Sequence, residues 1–213
     1  MLALTHLAEY NGCKQVFKEV KENFGLKWHN RRYTFDFLDK TNINEMLDGI
    51  RETIQLLPSK YANVIVYDVL TGLRARESTK SIRLIQSQLD NYLNRDRMIL
   101  EHYRFKTEFL RKTKNAYISI VTPSMLEIAK KADPNYEAIK GILRHNNKPS
   151  NINFARKIFA TYMHDNSIPT EIIDTLQGRT SAGMFSRHYY RPDFNRYAER
   201  VRRLIPKLHK ELE

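Results

Sequence analysis

The chain has 213 residues, 41% hydrophobic and 28% charged, enough for one soluble domain or one domain with an appendage. Its 36 Lys and Arg outnumber 24 Asp and Glu, and the net charge of +12 favours a polyanionic partner, nucleic acid or an anionic membrane surface. No apolar run nears the ~20 residues that span a bilayer, and the sequence holds no HExxH, no GxxxxGK[ST] and no clustered carboxylates for a two-metal nuclease.

The first residues, MLALTHLAEYNGCK, lack the basic start of a signal peptide. The lone Cys13 cannot close an internal disulfide, which fits a reducing cytoplasm. Residues 3–24 repeat apolar side chains at helical spacing, with Asn11-Gly12 as a break and Gly25 as the stop. His29-Asn30-Arg31-Arg32 is a basic joint, and a domain boundary is expected there, with residues 1–30 as linker helices and 31–213 as the main domain. Thr41 or Asn42 caps the next helix, with Glu45 near the capping-box position, and that helix stops before Pro58. Tyr61–Leu70 is almost wholly apolar, so a buried helix is expected, closed by a left-handed Gly72. Arg74 then starts a helix ending near Leu89.

From Met98 to Thr122 the chain turns to strand-favouring residues, Phe105, Phe109, Tyr117, Ile118, Ile120 and Val121, around the polar turn Lys112-Thr113-Lys114-Asn115. A β-hairpin or small antiparallel sheet is expected. Pro123 opens a helix to about Lys131, and Tyr136–Leu143 is another. Further helices are expected over Ile152–His164, Pro169–Leu176 (closed by Gly178), Ser181–Tyr190 and Phe194–Leu212, the last basic, amphipathic and interrupted at Pro206. The fold class is mainly α with a small antiparallel β-sheet.

The chemistry-bearing residues form an ordered set. Thr71-Gly72-Leu73-Arg74 with Glu77 follows the buried helix. A Lys-bearing turn comes next, then Asn153 and Arg156 before Phe159-Ala160-Thr161, then Gly178-Arg179, then Tyr189 and Tyr190. Arginine suits phosphate because its planar fork binds two oxygens and stays charged. Tyrosine can attack phosphorus and hold the bond covalently. Each residue alone has an ordinary reading: Arg74 as a helix-start arginine paired with Glu77, Arg156 as a solvated one, the turn lysines as solvated, the tyrosines as packing groups.

In this order the set resembles the tyrosine recombinase (phage-type integrase) family, and most of all the integrases of archaeal viruses and plasmids. The resemblance covers residues 32–200, with its sharp matches around Arg74 and Arg156. It implies a catalytic domain over residues 31–213, preceded in residues 1–30 by the end of a DNA-clamping domain. Implied catalytic residues are Arg74, Lys112, Asn153, Arg156, Arg179 and Tyr189. Asn153 stands where the family carries His, and Arg179 where the family again carries His. Asn153 can bond a phosphate oxygen but cannot take a proton at neutral pH. Lys114 competes with Lys112 as general acid, with Lys106 behind them. Family spacing from Gly178-Arg179 falls on His188, so Tyr189 needs a one-residue shift and Tyr190 two.

The resemblance further implies metal-independent cleavage and rejoining of double-stranded DNA at attachment sites, through a 3′-phosphotyrosyl intermediate. It implies no cofactor, a homotetramer on DNA, no membrane, and action in the host cytoplasm. Two other readings fit the same residues: a type IB topoisomerase-like enzyme, which relaxes supercoils without site preference, and a non-catalytic basic helical DNA-binding protein.

Overall fold

Asn11-Gly12 separates two helices, α1 (Leu2–Tyr10) and α2 (Lys14–Asn23), with Gly12 at φ 67°. The structure is a computed structural model and describes residues 2–25, 42–110, 115–148, 154–179 and 193–213. The expected boundary at residues 29–32 and the expected helix over residues 181–190 lie outside the described residues. Contacts divide the chain into two compact units, Met1–Lys40 and Thr41–Glu213.

Helix punctuation governs the second unit. α3 (Ile43–Leu56) begins at Asn42, whose side chain accepts from the Glu45 N–H at 3.0 Å. Pro58 then precedes α4 (Ser59–Thr71), in which Val64, Ile65, Tyr67, Val69 and Leu70 are all buried. A helix apolar on every side belongs in a core. Accordingly α4 packs against α3, α5 (Ala75–Tyr92), α7 (Pro123–Lys131), α9 (Phe154–Asp165) and α11 (Phe194–Lys210). The Thr122 side chain caps α7, and Asn135 caps α8 (Tyr136–His145). The short α10 (Thr170–Leu176) follows α9 and packs on it.

The expected sheet is present but shorter than its sequence pattern. Strands β1 (Leu93–Asn94), β2 (Ile99–Leu100) and β3 (Ser119–Ile120) pair antiparallel in that order, with Leu93 opposite Leu100 and Ile99 opposite Ile120. Between β2 and β3 the chain forms a 3₁₀ turn (His102–Arg104) and a one-turn helix, α6 (Lys106–Phe109). The strand reading of Phe105 and Phe109 is therefore corrected. Four residues apart, the two rings come to one side of a helical turn, where Phe105 meets Tyr92 edge-on and Phe109 stacks on it. α11 is corrected too. It continues through Pro206, which lies on the exposed side while Ile205 and Leu208 stay buried around it.

A chain of buried polar groups ties the core together. Tyr67 and Tyr92 both bond Ser81 Oγ, at 2.7 and 2.9 Å, Tyr92 also bonds His102 Nδ1, and His102 Nε2 lies 2.8 Å from Ser119 Oγ. With the Tyr92 proton given to Ser81, His102 keeps its own on Nδ1 and accepts from Ser119. Burial pushes His102 down to about 3, so it is neutral. Asp68 on α4 accepts from the Tyr136 hydroxyl, and burial pushes its carboxyl up to about 7.

The two groups act on stability in opposite directions. Below 6.5 the unfolded chain protonates His102 while the fold does not, so stability falls as pH drops towards 3. Above 3.8 the unfolded chain ionises Asp68 while the fold keeps it protonated, so stability falls as pH rises towards 7. Asp68→Asn removes the second effect alone. Urea unfolding should show this variant gaining on the wild type as pH rises from about 4 to 7, by at most about 1.4 kcal/mol per pH unit. Parallel curves would mean that Asp68 is ionised in the fold.

Candidate active site

Arg74 occupies the N-cap of α5, a position that ordinarily takes Ser, Thr, Asp or Asn. The reciprocal half of a capping box is present: Glu77, the third helical residue, accepts the Arg74 N–H at Oε2 (3.1 Å) and the Arg74 guanidinium at Oε1 (2.8 Å). Functional sites are where such local rules are expected to be broken. Arg74 Nη1 also reaches the carbonyl of Asn115, at 3.5 Å. The ion pair that gives Arg74 its ordinary reading is thus real, and it orients the side chain towards the Asn115 end of the lysine-bearing turn.

Arg156, in the first turn of α9, is only 7% exposed. Its Nη2 donates to the Gln177 carbonyl (3.1 Å), and the Gln177 side-chain amide donates back to the Arg156 carbonyl (2.8 Å). Arg156 Nη1 lies 3.9 Å from Glu77 Oε2, beyond hydrogen-bond reach, and has no hydrogen-bond partner among the described residues. Burial, then the positive charges of Arg74 and Arg179, bring the guanidinium down to about 10, against the pull of Glu77 and Asp174. It remains charged at neutral pH. The solvated reading of Arg156 does not hold.

Arg179 follows a Schellman turn at the end of α10. Gly178 N–H donates to Thr175 O and Arg179 N–H to Asp174 O, with Gly178 at φ 61°. The Arg179 guanidinium sits 3.6 Å from the Asp174 carboxylate and is half exposed. Two close approaches draw these segments together. A Cβ on Gly178 would overlap the Asn115 carbonyl, and one on Gly72 would come within 2.6 Å of the Phe159 ring and 3.1 Å of the Gln177 amide. Leu110 and Asn115, which flank residues 111–114, form an antiparallel bridge.

The structure therefore brings Arg74, Arg156 and Arg179 into one electrostatic neighbourhood. Lys112, Lys114, Asn153, His188, Tyr189 and Tyr190 lie outside the described residues. Lys106 opens α6 and is exposed. Gln177 and Asp174 had no place in the sequence reading, and Asn115 entered it only as part of the polar turn. The signal for Gln177 was a lone amide between a buried leucine and a cap glycine. Chemically the cluster can hold an anion: three cations lie together, and the buried Arg156 Nη1 has no hydrogen-bond partner among the described residues.

A family model described as archaeal phage integrase matches residues 42–199. The chain belongs to that family. No curated protein and no solved structure gives a match. Membership makes the chain an integrase, a recombinase enzyme with DNA as its partner. Its mainly helical fold with a three-stranded antiparallel sheet is compatible with that family. Among the described residues of the integrase no helix is long and apolar enough to cross a membrane.

Gly178→Ala tests how tightly the cluster is assembled. A left-handed alanine costs about 1–2 kcal/mol, and its methyl group must also push away the Asn115 carbonyl. Thermal unfolding should show a loss at least that large. Wild-type stability in this variant would break the link between Gly178 and the turn.

Proposed function

We infer that this integrase cuts and rejoins DNA by tyrosine chemistry at specific attachment sites. Tyr189 attacks the scissile phosphate and forms a 3′-phosphotyrosyl link, and the strand's 5′ oxygen leaves. The link conserves the bond for resealing to a partner strand. Arg74, Arg156 and Arg179 hold the non-bridging oxygens, Asn153 adds a hydrogen bond, and Lys112 protonates the leaving oxygen. No metal or cofactor enters this scheme. Residues 1–30 act as the end of a DNA-clamping domain and 31–213 as the catalytic domain, working as a homotetramer on DNA in the host cytoplasm.

One observation carries the reading. Arg156 is buried beside two other arginines, Glu77 and Asp174 are the carboxylates near the three, and one Arg156 donor has no hydrogen-bond partner among the described residues. A phosphate is the group that meets the donor and relieves the repulsion together. The ordered residues Lys112, Asn153 and Tyr189 support it from the sequence.

Denaturing gels of protein mixed with nicked duplex report the covalent link. Tyr189→Phe should abolish the adduct and leave duplex binding nearly intact. If Tyr190→Phe abolishes it instead, the nucleophile is one residue further on.

Lys112→Ala should slow cleavage of an ordinary phosphodiester by ~10²–10⁴, the usual contribution of a general acid. It should scarcely slow a substrate whose bridging 5′ oxygen is sulfur, because a thiolate leaves without a proton. Sulfur rescue of Lys114→Ala but not of Lys112→Ala would move the acid to Lys114.

A further inference from the structure

The outer side of α11 carries more like charge than its packing requires. Ala198, Val201, Ile205 and Leu208 are buried along one side of the helix. Arg196, Arg200, Arg203, Lys207 and Lys210 follow one another at steps of four, three, four and three. At about 100° per residue they form one row on the opposite side, about 21 Å long at the helical rise of 1.5 Å. Four of them are exposed, and Arg200 is half-buried.

Several cations on other helices are neutralised locally. Arg51 pairs with Asp48, Lys130 with Glu127 and Lys140 with Glu137, each one turn away. In the row the acid contact among the described residues is Arg203 with Glu199 at 3.9 Å, between side chains 81% and 64% exposed. Such a pair contributes little in water. Arg200 donates to the Asn166 carbonyl and lies over the Tyr197 ring, neither of which cancels its charge formally. Successive like charges at these spacings oppose helix formation. Burial of the other side holds the row in place regardless.

The row is also set apart from the arginine cluster. Arg200 meets Asn166, just past the C-terminal end of α9, whereas Arg156 lies in the first turn of that helix. Ten helical residues separate those points, about 15 Å. The apolar side of α11 is buried against α4 and α9, so it is not available to enter a lipid surface as an interfacial helix does. A DNA strand offers one phosphate per ~3.4 Å of axis, so the row's length spans about six.

We propose that this row is a second DNA-contact surface, gripping the phosphate backbone of the duplex away from the cleavage site. It rests on the integrase reading for the choice of DNA among polyanions. The row adds affinity without sequence information, since phosphate contacts position a protein but do not read bases.

The test compares two variants of equal charge. One carries Arg196→Gln, Arg203→Gln, Lys207→Gln and Lys210→Gln and spares Arg200, which bonds Asn166. The other carries Lys130→Gln, Lys131→Gln, Lys140→Gln and Arg144→Gln on α7 and α8. Affinity for a duplex without an attachment site is measured over a series of salt concentrations. The row variant should bind at least about tenfold more weakly at low salt, with a slope of log K against log salt smaller by up to ~3.6, or ~0.9 per lost contact. The α7–α8 variant should stay close to wild type. Adduct formation on nicked substrate at saturating protein should persist in both.

Equal losses in the two variants, or wild-type affinity and slope in the row variant, overturn the proposal. So does loss of binding to phosphatidylserine vesicles with duplex binding intact. If wild-type protein itself forms no adduct, the catalytic reading fails; an adduct with an unchanged row variant sinks the row alone. Should the fourfold variant unfold, Arg203→Gln and Lys207→Gln singly must each lower the slope by ~0.9, and an unchanged slope in both is the refuting result.

Discussion

Two guanidiniums share one carboxylate in this fold, and much else follows from that sharing. Glu77 is 1% exposed, pairs with Arg74 and lies near Arg156. Removing an arginine from water is expensive unless charge and hydrogen bonds replace the lost hydration. The Gln177 carbonyl and Glu77 supply part of that replacement for Arg156. The same carboxylate closes the first turn of α5 through the Arg74 N–H. Helix start, countercharge and site orientation therefore depend on a single side chain. Among the described residues Arg156 Nη1 is left without a hydrogen-bond partner, and an anion there would complete the compensation.

Most helices were legible because their ends are marked by residues with one local job. Asn42 with Glu45, Pro58 before α4, Gly72 after it, and Pro123 at the start of α7 each act within a turn of themselves. The three clustered arginines, Arg74, Arg156 and Arg179, were singled out for another reason: they occur in an ordered set, and order survives without coordinates. What was hidden is long-range. The exchange of hydrogen bonds between Arg156 and Gln177 spans twenty-one residues, and no periodicity announces it. Phe105 and Phe109 misled because aromatic side chains favour strands in general, while here their four-residue spacing suits the flank of Tyr92. Pro206 misled because a missing N–H on the solvent side of a well-anchored helix is tolerated.

Gly72 and Gly178 show how backbone conformation and proximity combine. Both are left-handed, and both leave room that a methyl group would fill. Gly72 lets the end of α4 come against Phe159 and Gln177, and Gly178 lets the end of α10 meet the backbone at Asn115. Four segments distant in sequence are thus drawn around one small volume, and the side chains of Arg74, Arg156 and Gln177 bridge them.

The buried chain from Tyr67 through Ser81, Tyr92 and His102 to Ser119 has a bearing on how such a sequence drifts. Each member satisfies its neighbour, so replacing one by an apolar residue strands a polar atom in the interior. Exchanging the whole group for matched apolar shapes carries no such penalty. Descendants of this chain should therefore keep the five residues together or lose them together. Intermediate combinations would be short-lived, and a lineage that abandoned the chain would show several simultaneous replacements across α4, α5 and the sheet.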